Sequence, residues 1–432
     1  MKRMRMGKAL LAIVLPVSCM KVPEPDLLPL PKVVEYTLGS VKADVSVTET
    51  LVEAIPEAAG NEQEAYRLAV DRSGIRIEAV TEQGLWNARQ TLRQLQASPR
   101  ISPARKDRIP CCRIVDWPSF RVRGWMMDVG RTWISLEELE REVEVFSQFK
   151  ANVFHLHLTE NEAWRLESIK YPQLNAPETM LRQEGLFYTQ EELRALDAYC
   201  KERGVTLVPE IDMPGHSKAF ERAMGHSMQT DQGMTELKLI LDEVCEVFSD
   251  APYIHIGADE QAITYPNFLK TITDHLHRKG KRVVVWNPIS GVTITSATGA
   301  DMTQMWSTAG RKIEDLPNID CRYNYVNHFD VFADLVGIYK SNVYYAKRGS
   351  REIAGEITAT WNDRFVDTQE GIMRQNNVYA NVLAASERAW KGGGQQYIEQ
   401  GGTTLPNDGP EYEEFADWER RFLFHKAHSL FF

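Results

Sequence analysis

The sequence predicts an α/β protein in which a (β/α)8 barrel follows a small α/β domain. From Arg121 onward, eight short apolar runs alternate with helical stretches over roughly 300 residues, the arithmetic of eight βα units. Ahead of them, two alternating runs around Ser73-Gly74 lead into one helical pattern, which suits a small sheet with a covering helix. The 432 residues, 43% hydrophobic and 25% charged, can bury two full cores; this excludes a disordered, collagenous or small disulfide-stapled chain.

The chain opens with the basic run Met1-Lys2-Arg3-Met4-Arg5, an apolar stretch from Ala9 to Val17, and Ser18-Cys19. That order is a secretory signal, shorter than the ~20 residues a membrane helix needs, with Cys19 as a candidate for lipidation and membrane attachment. The expectation is export to the periplasm or outer membrane of a bacterium. Four prolines between Val22 and Pro31 predict a tether, with folding starting near Lys32. Tyr66–Val70 and Ile75–Ala79 alternate as a hairpin, Gly84–Leu95 sets Leu85, Ala88, Leu92 and Leu95 at helical spacing, and Pro103–Pro110 reads as a connecting loop.

The barrel strands are expected at Val122–Asp128, Asn152–Leu158, Val205–Ile211, Tyr253–Gly257, Arg282–Trp286, Asp301–Trp306, Asp320–Tyr325 and Glu356–Trp361. Helices stand out at Leu136–Phe149, Glu191–Glu202, Glu236–Phe248, Asn267–Lys279 and Val331–Tyr339, with a last one at Tyr412–Leu430. After the fifth strand no helix is visible. The expected division is a signal over 1–19, a linker over 20–31, a small domain over 32–118 and a catalytic barrel over 119–432. Cys111, Cys112, Cys200, Cys245 and Cys321 lack paired spacing and read as small buried hydrophobes.

Fifty Lys and Arg against 60 Asp and Glu give a net charge of -10 with no long basic run, which argues against a nucleic-acid partner and for a small or neutral one. A barrel of this kind places its site at the C-terminal strand ends. Those ends present Asp128 with Arg131, His157 with Glu160, Asp212 with His216, Asp259 with Glu260, then Trp286, Trp306, Tyr325, and Trp361 with Asp363. Indoles among carboxylates suit a sugar, whose faces offer C–H groups and whose hydroxyls need polar partners. A glycosidase follows, but the neighbours Asp259 and Glu260 cannot easily straddle a scissile bond as opposed carboxylates ~5 to 9.5 Å apart. Two other readings stand beside it. His155 and His157 share one strand face, a spacing that a metal-dependent hydrolase uses, and the barrel can be a catalytically silent glycan binder. The residues themselves ask for no metal or cofactor.

The segments Arg123-Gly124, Asn152-Val153-Phe154-His155-Leu156-His157-Leu158-Thr159, Pro209-Glu210-Ile211-Asp212-Met213-Pro214-Gly215-His216 and His255-Ile256-Gly257-Ala258-Asp259-Glu260 resemble the β-N-acetylhexosaminidases of glycoside hydrolase family 20. Trp306, Tyr325, Ala385-Ser386-Glu387-Arg388-Ala389-Trp390 and the small domain extend the likeness over about 40 to 400. The resemblance implies exo-release of terminal non-reducing β-linked N-acetylhexosamine from an oligosaccharide or glycoconjugate, with retention. In such substrate-assisted catalysis the sugar's own acetamido oxygen is the nucleophile. By the same likeness Glu260 is the general acid and base, Asp259 orients the acetamido N–H, Tyr325 holds its oxygen, and Glu160 with His216 backs Glu260. Arg123 binds the 3- and 4-hydroxyls and Trp286, Trp306 and Trp361 wall the pocket, with Asn327, Asp363, His157 and Asp212 among the substrate-binding residues. Four positions depart from the family's usual choice: Thr132 for His, Glu160 for Asp, Asn327 for Asp and Asp363 for Glu. They bear on substrate choice. Asn327 removes a negative charge beside the sugar's 4- and 6-hydroxyls, so tolerance of a 6-sulfated sugar is expected.

Overall fold

The computed structural model describes residues 25–58, 60–97, 107–326, 331–364, 366 and 368–428. The expected signal and Cys19 lie outside them. Among the described residues no helix is long and apolar enough to cross a membrane.

The small domain is a five-stranded sheet of β1 (Val33–Lys42), β2 (Val47–Leu51), β3 (Tyr66–Asp71), β4 (Gly74–Ala79) and β5 (Arg108–Asp116), ordered β1-β5-β3-β4-β2. The helix α1 (Glu82–Ala97) buries Leu85, Ala88, Leu92 and Leu95 against Leu68, Val70 and Ile77, as its spacing predicts. The loop expected over Pro103–Pro110 ends earlier, because β5 already starts at Arg108. Pro110 argues against a strand by itself. It is tolerated because β5 pairs with β3 only from Cys112 onward, so at Pro110 the strand has β1 as its sole neighbour.

Eight parallel strands then close the barrel: β6 (Val122–Asp128), β7 (Val153–His157), β8 (Thr206–Glu210), β9 (Tyr253–His255), β10 (Arg282–Asn287), β11 (Met302–Met305), β12 (Asn318–Asp320) and β13 (Ile353–Thr360), which returns to β6. Around it run α2 (Leu136–Gln148), α3 (Gln190–Glu202), α4 (Lys218–Met224), α5 (Asp231–Val247), α6 (Phe268–Arg278), α7 (Val331–Lys340), α8 (Gln369–Gln375), α9 (Val378–Lys391), α10 (Ile398–Gly401) and α11 (Pro410–His428). Caps fix several starts: Ser135 accepts from the Glu138 amide, and Thr189 forms a reciprocal box with Glu192. The gap after the fifth strand is real, since only a 3-10 turn at Ser296–Thr298 links β10 to β11. The seventh strand is shorter and earlier than expected. The Asn318 amide side chain bonds the Ile313 and Leu316 carbonyls and fixes its start, and Tyr325 makes a single bridge to Ala359.

The stretch expected as a tether is bound from its described start. Leu27 and Leu28 are buried, the Leu28 amide donates to Gln94, and Arg421 of α11 bonds the Leu27 carbonyl while pairing with Glu387 of α9 at 2.7 Å. Prolines extend this segment without freeing it, because its leucines have apolar surface to bury. Cys111, Cys112, Cys200, Cys245 and Cys321 are free and buried.

Two buried ion pairs join the small domain to the barrel floor. Arg123, the second residue of β6, forks onto Glu64 at 2.5 and 3.1 Å and also donates to the Lys150 and Phe120 carbonyls. Lys150 reaches Asp116 at 3.0 Å and the Tyr66 hydroxyl at 2.9 Å. Removing one partner leaves the other charged and unpaired in a site away from water. Arg123→Ala is therefore expected to cost ~3–5 kcal/mol in denaturant unfolding. The double variant Arg123→Met/Glu64→Gln should lose less than the sum of the two single losses.

Candidate active site at the C-terminal mouth of the barrel

Strand register builds the base of the site. Asp128 of β6 pairs with His157 of β7, His157 with Glu210 of β8, and Glu210 with His255 of β9, so four polar residues stand at one level where their strands end. Period-two alternation turns His155 and His157 inward and leaves Phe154 and Leu156 to pack outside. Glu210 is fully buried and accepts from His155 Nε2 at 2.8 Å, His157 Nδ1 at 2.5 Å and Trp286 Nε1 at 2.8 Å. Burial alone would favour a neutral carboxyl, but the surrounding imidazoles hold Glu210 well below the usual range. Reciprocally, Glu210 outweighs the burial of His157 and raises its affinity for a proton.

Above this base the adjacent carboxylates separate. β9 ends at His255, and Gly257, Ala258 and Glu260 all take positive φ, so Asp259 and Glu260 are no longer on a strand. Gly257 is required there, because a Cβ would stand 1.7 Å from Asp212 Oδ1. That same oxygen accepts from the Ala258 amide. Asp259 turns inward, 7% exposed, and its Oδ1 has no hydrogen-bond partner among the described residues. Burial, with the charges of Glu210 and Glu260, pushes its carboxyl up to about 7 against the pull of His216. The Glu260 side chain turns outward, 55% exposed, with Oε2 3.1 Å from His216 Nε2.

A charged relay leads away from Glu260. His216 Nδ1 lies 2.6 Å from Glu160 Oε1, so the side chain one methylene longer than the family's Asp still reaches the imidazole. Glu160 meets Arg131 Nη2 at 2.5 Å, and Arg131 also holds Asp128 at 2.8 Å and lies 3.5 Å from Asp363. Burial works against charge on His216, but Glu160 and the charges of Asp212 and Asp259 outweigh it and push the imidazole up to about 10. The Arg131 guanidinium lies 5.2 Å from the centre of the Trp361 ring, and Tyr325 stands at 5.8 Å from the same indole. Burial raises the Tyr325 hydroxyl well above its ordinary value, which keeps its proton available for donation. Trp306 borders the mouth from the end of β11, its N–H given to the Pro288 carbonyl.

Four expected substrate contacts are corrected by this geometry. Arg123 lies at the opposite end of β6 from the mouth, in the floor pair with Glu64. Arg131, three residues past the strand end, is the arginine at the mouth, and strand polarity was the signal that distinguishes them. His157 and Asp212 are buried beneath the mouth: the first serves Glu210 and packs edge-on against Trp361, the second holds the Gly257-Ala258 turn. Trp286 is wholly buried, giving its N–H to Glu210 and supporting Trp361 from below at 5.8 Å. Asp363 is exposed on the rim, and Asn327 lies outside the described residues. Glu210, known beforehand only as part of a motif, is the residue that this level of the barrel is arranged around.

Three acid and imidazole clusters are close enough to share a cation: His155, Glu210 and His255; His157, Glu210 and Asp212; Asp212, His216 and Asp259. The first two use Glu210, whose oxygens already accept from two imidazoles and an indole. The third needs a free nitrogen of His216, but Nδ1 already faces Glu160 at 2.6 Å and Nε2 faces Glu260 at 3.1 Å. The donor chemistry therefore disfavours a metal.

Residues 120–239 match the glycosyl hydrolase family 20 catalytic domain, and residues 30–117 match domain 2 of that family. The chain is similar to the β-hexosaminidase of Vibrio furnissii, 36% identical over 233 residues, 45% of this chain and 37% of that protein. It is also similar to the β-N-acetylhexosaminidase of Cellulomonas fimi, 30% identical over 64% of this chain and 59% of that protein. The matches span 37%, 37% and 34% of the length of the first three curated relatives. Among solved structures, the β-N-acetylhexosaminidase from Bacteroides fragilis superposes with a TM-score of 0.74 at 24% identity, covering 93% of this chain and 96% of that one. The exo-β-N-acetylglucosaminidase of Vibrio harveyi gives 0.73 at 22% identity, with 93% and 76% covered.

The His216 imidazole supplies a test of the relay. Its folded value lies above the ordinary 6.5, so its contribution to stability is fully present below about 6.5 and is lost as pH rises through about 10. A 15N NMR titration should find it protonated at pH 8. In Glu160→Gln, which removes the largest force raising it, titration should fall back toward the ordinary histidine range.

Proposed function

We propose that this chain is a retaining exo-β-N-acetylhexosaminidase of glycosyl hydrolase family 20, using its substrate's acetamido group as nucleophile, a reading supported by the family matches over residues 30–117 and 120–239. The observation that carries the proposal is the division between two adjacent carboxylates: Asp259 buried with an unpartnered Oδ1, Glu260 exposed and joined to His216. The acetamido carbonyl oxygen attacks the anomeric carbon, the glycosidic bond breaks, and Glu260 gives its proton to the departing oxygen. Asp259 accepts the acetamido N–H in the oxazolinium that results, and its negative charge offsets the developing positive one. Glu260, now a carboxylate, takes a proton from the water that opens this ring, restoring the free sugar and the acid. Tyr325 donates to the acetamido oxygen, Trp361 and Trp306 offer faces to the sugar, and Arg131 takes the hydroxyl contacts expected of Arg123. The substrate is a glycan ending in β-linked N-acetylglucosamine or N-acetylgalactosamine, met outside the cytoplasm if the Met1–Cys19 segment directs export. Mass spectrometry of the mature N-terminus from native cells tests that location; intact Met1 would refute it.

Activity is expected on aryl β-N-acetylglucosaminides. Glu260→Gln should lose ~100 to 10,000-fold in kcat on poor leaving groups, with a smaller loss on nitrophenol, which departs without a proton. Asp259→Asn should lose ~100 to 1,000-fold on both. Because Asp259 titrates near 7 in the free protein and works ionised, kcat/KM should fall as pH drops below about 7. Wild-type turnover in Asp259→Asn would overturn its assignment.

A further inference from the structure

At the opposite end of the barrel from the mouth, a cleft of about 680 Å³ opens along the seam with the small domain. Four of its lining side chains are cationic, Lys32, Arg121, Arg348 and Arg351, and none is a carboxylate, in a chain whose net charge is -10. Of the nearby acids, Asp116 pairs with Lys150, and Glu352 pairs with Lys312 while also feeling the charge of Arg351. Lys32 and Arg121 are spent on structure, the first on Ser119 Oγ and the Lys391 carbonyl, the second on the Ser350 and Arg351 carbonyls. Arg348 and Arg351 are exposed and have no ion-pair partner among the described residues.

The loop that carries these two arginines is held in place. The Gly349 amide donates to the Ser119 carbonyl at 2.9 Å, the Ser350 amide to the Ile353 carbonyl at 3.0 Å, and Ser350 Oγ accepts from the Ile353 amide at 3.0 Å. Trp117 lines the cleft half-buried. Guanidinium groups favour planar or tetrahedral oxyanions through paired N–H donors, whereas an indole face favours sugar C–H groups. A lone inorganic anion would use the first feature and leave most of the volume unfilled.

We propose that this cleft is a second glycan site that binds a sulfated oligosaccharide segment through Arg348, Arg351 and Trp117. Resting on the glycosidase reading for its biological sense, it gives an anionic glycan chain a point of attachment remote from the bond being cut. Its binding test needs no turnover, so it fails or stands separately from that reading.

Calorimetric titration of the whole chain with a trisulfated uronate–glucosamine disaccharide should show saturable binding, weakened by salt and absent with the desulfated disaccharide. Arg348→Ala/Arg351→Ala should weaken it by at least about tenfold. The variant should leave kcat/KM on a neutral aryl N-acetylglucosaminide unchanged, which also shows that it folds. No binding, equal binding of the desulfated sugar, unchanged binding by the variant, or equal affinity for sodium sulfate alone would each overturn the proposal. Binding of phosphatidylglycerol vesicles with none of the disaccharide would do the same, assigning the cleft to a membrane surface.

Discussion

The site depends on one buried negative charge. Glu210 sits where β6 to β9 finish, and its two oxygens receive the N–H groups of His155, His157 and Trp286. A carboxylate in that position is costly unless its acceptors are filled, and filling them fixes two imidazoles and an indole in single orientations. Trp286 then supports Trp361, which lies under Arg131 and beside Tyr325. The same charge reaches upward: with burial, it keeps Asp259 reluctant to ionise before an N–H arrives. The aromatic wall and the electrostatics of the reacting groups thus share one support.

Chemistry with adjacent acids is made workable by where β9 stops. On a continuing strand Asp259 and Glu260 would face opposite sides of the sheet. The left-handed turn through Gly257 and Ala258, held by Asp212, instead puts one in the interior and one at the surface of the same mouth. Different surroundings then give them different work. Asp259 is desolvated with an open acceptor, while Glu260 is solvated and in touch with a protonated imidazole, itself held by Glu160 and Arg131. Like charges are spaced by cations throughout this relay, which lets several carboxylates share a small volume.

Much of the fold was legible because the barrel repeats one signal eight times, and the strands at Val122–Asp128 and Arg282–Asn287 need only an apolar run to be seen. The misreadings came from non-local causes. Pro110 belongs to a strand because of which neighbours β5 has at that point, and Pro25–Pro31 is bound because α11, far along the chain, supplies its partners. The carboxylates and aromatics at the strand ends were visible in sequence, since strand polarity alone puts them at one face. Depth was not. His157, Asp212 and Trp286 occupy the same strand ends as true mouth residues, and only three-dimensional packing places them one layer below.

The central claim is that the nucleophile belongs to the substrate and that Asp259 and Glu260 serve it in separate roles. Replacing the acetyl hydrogens of an aryl β-N-acetylglucosaminide with one, two and three fluorines withdraws electron density from the carbonyl oxygen with little change in shape. If that oxygen attacks the anomeric carbon, kcat/KM must fall steeply and progressively across the series. A flat series would mean that a protein group or water makes the attack, and would contradict the account.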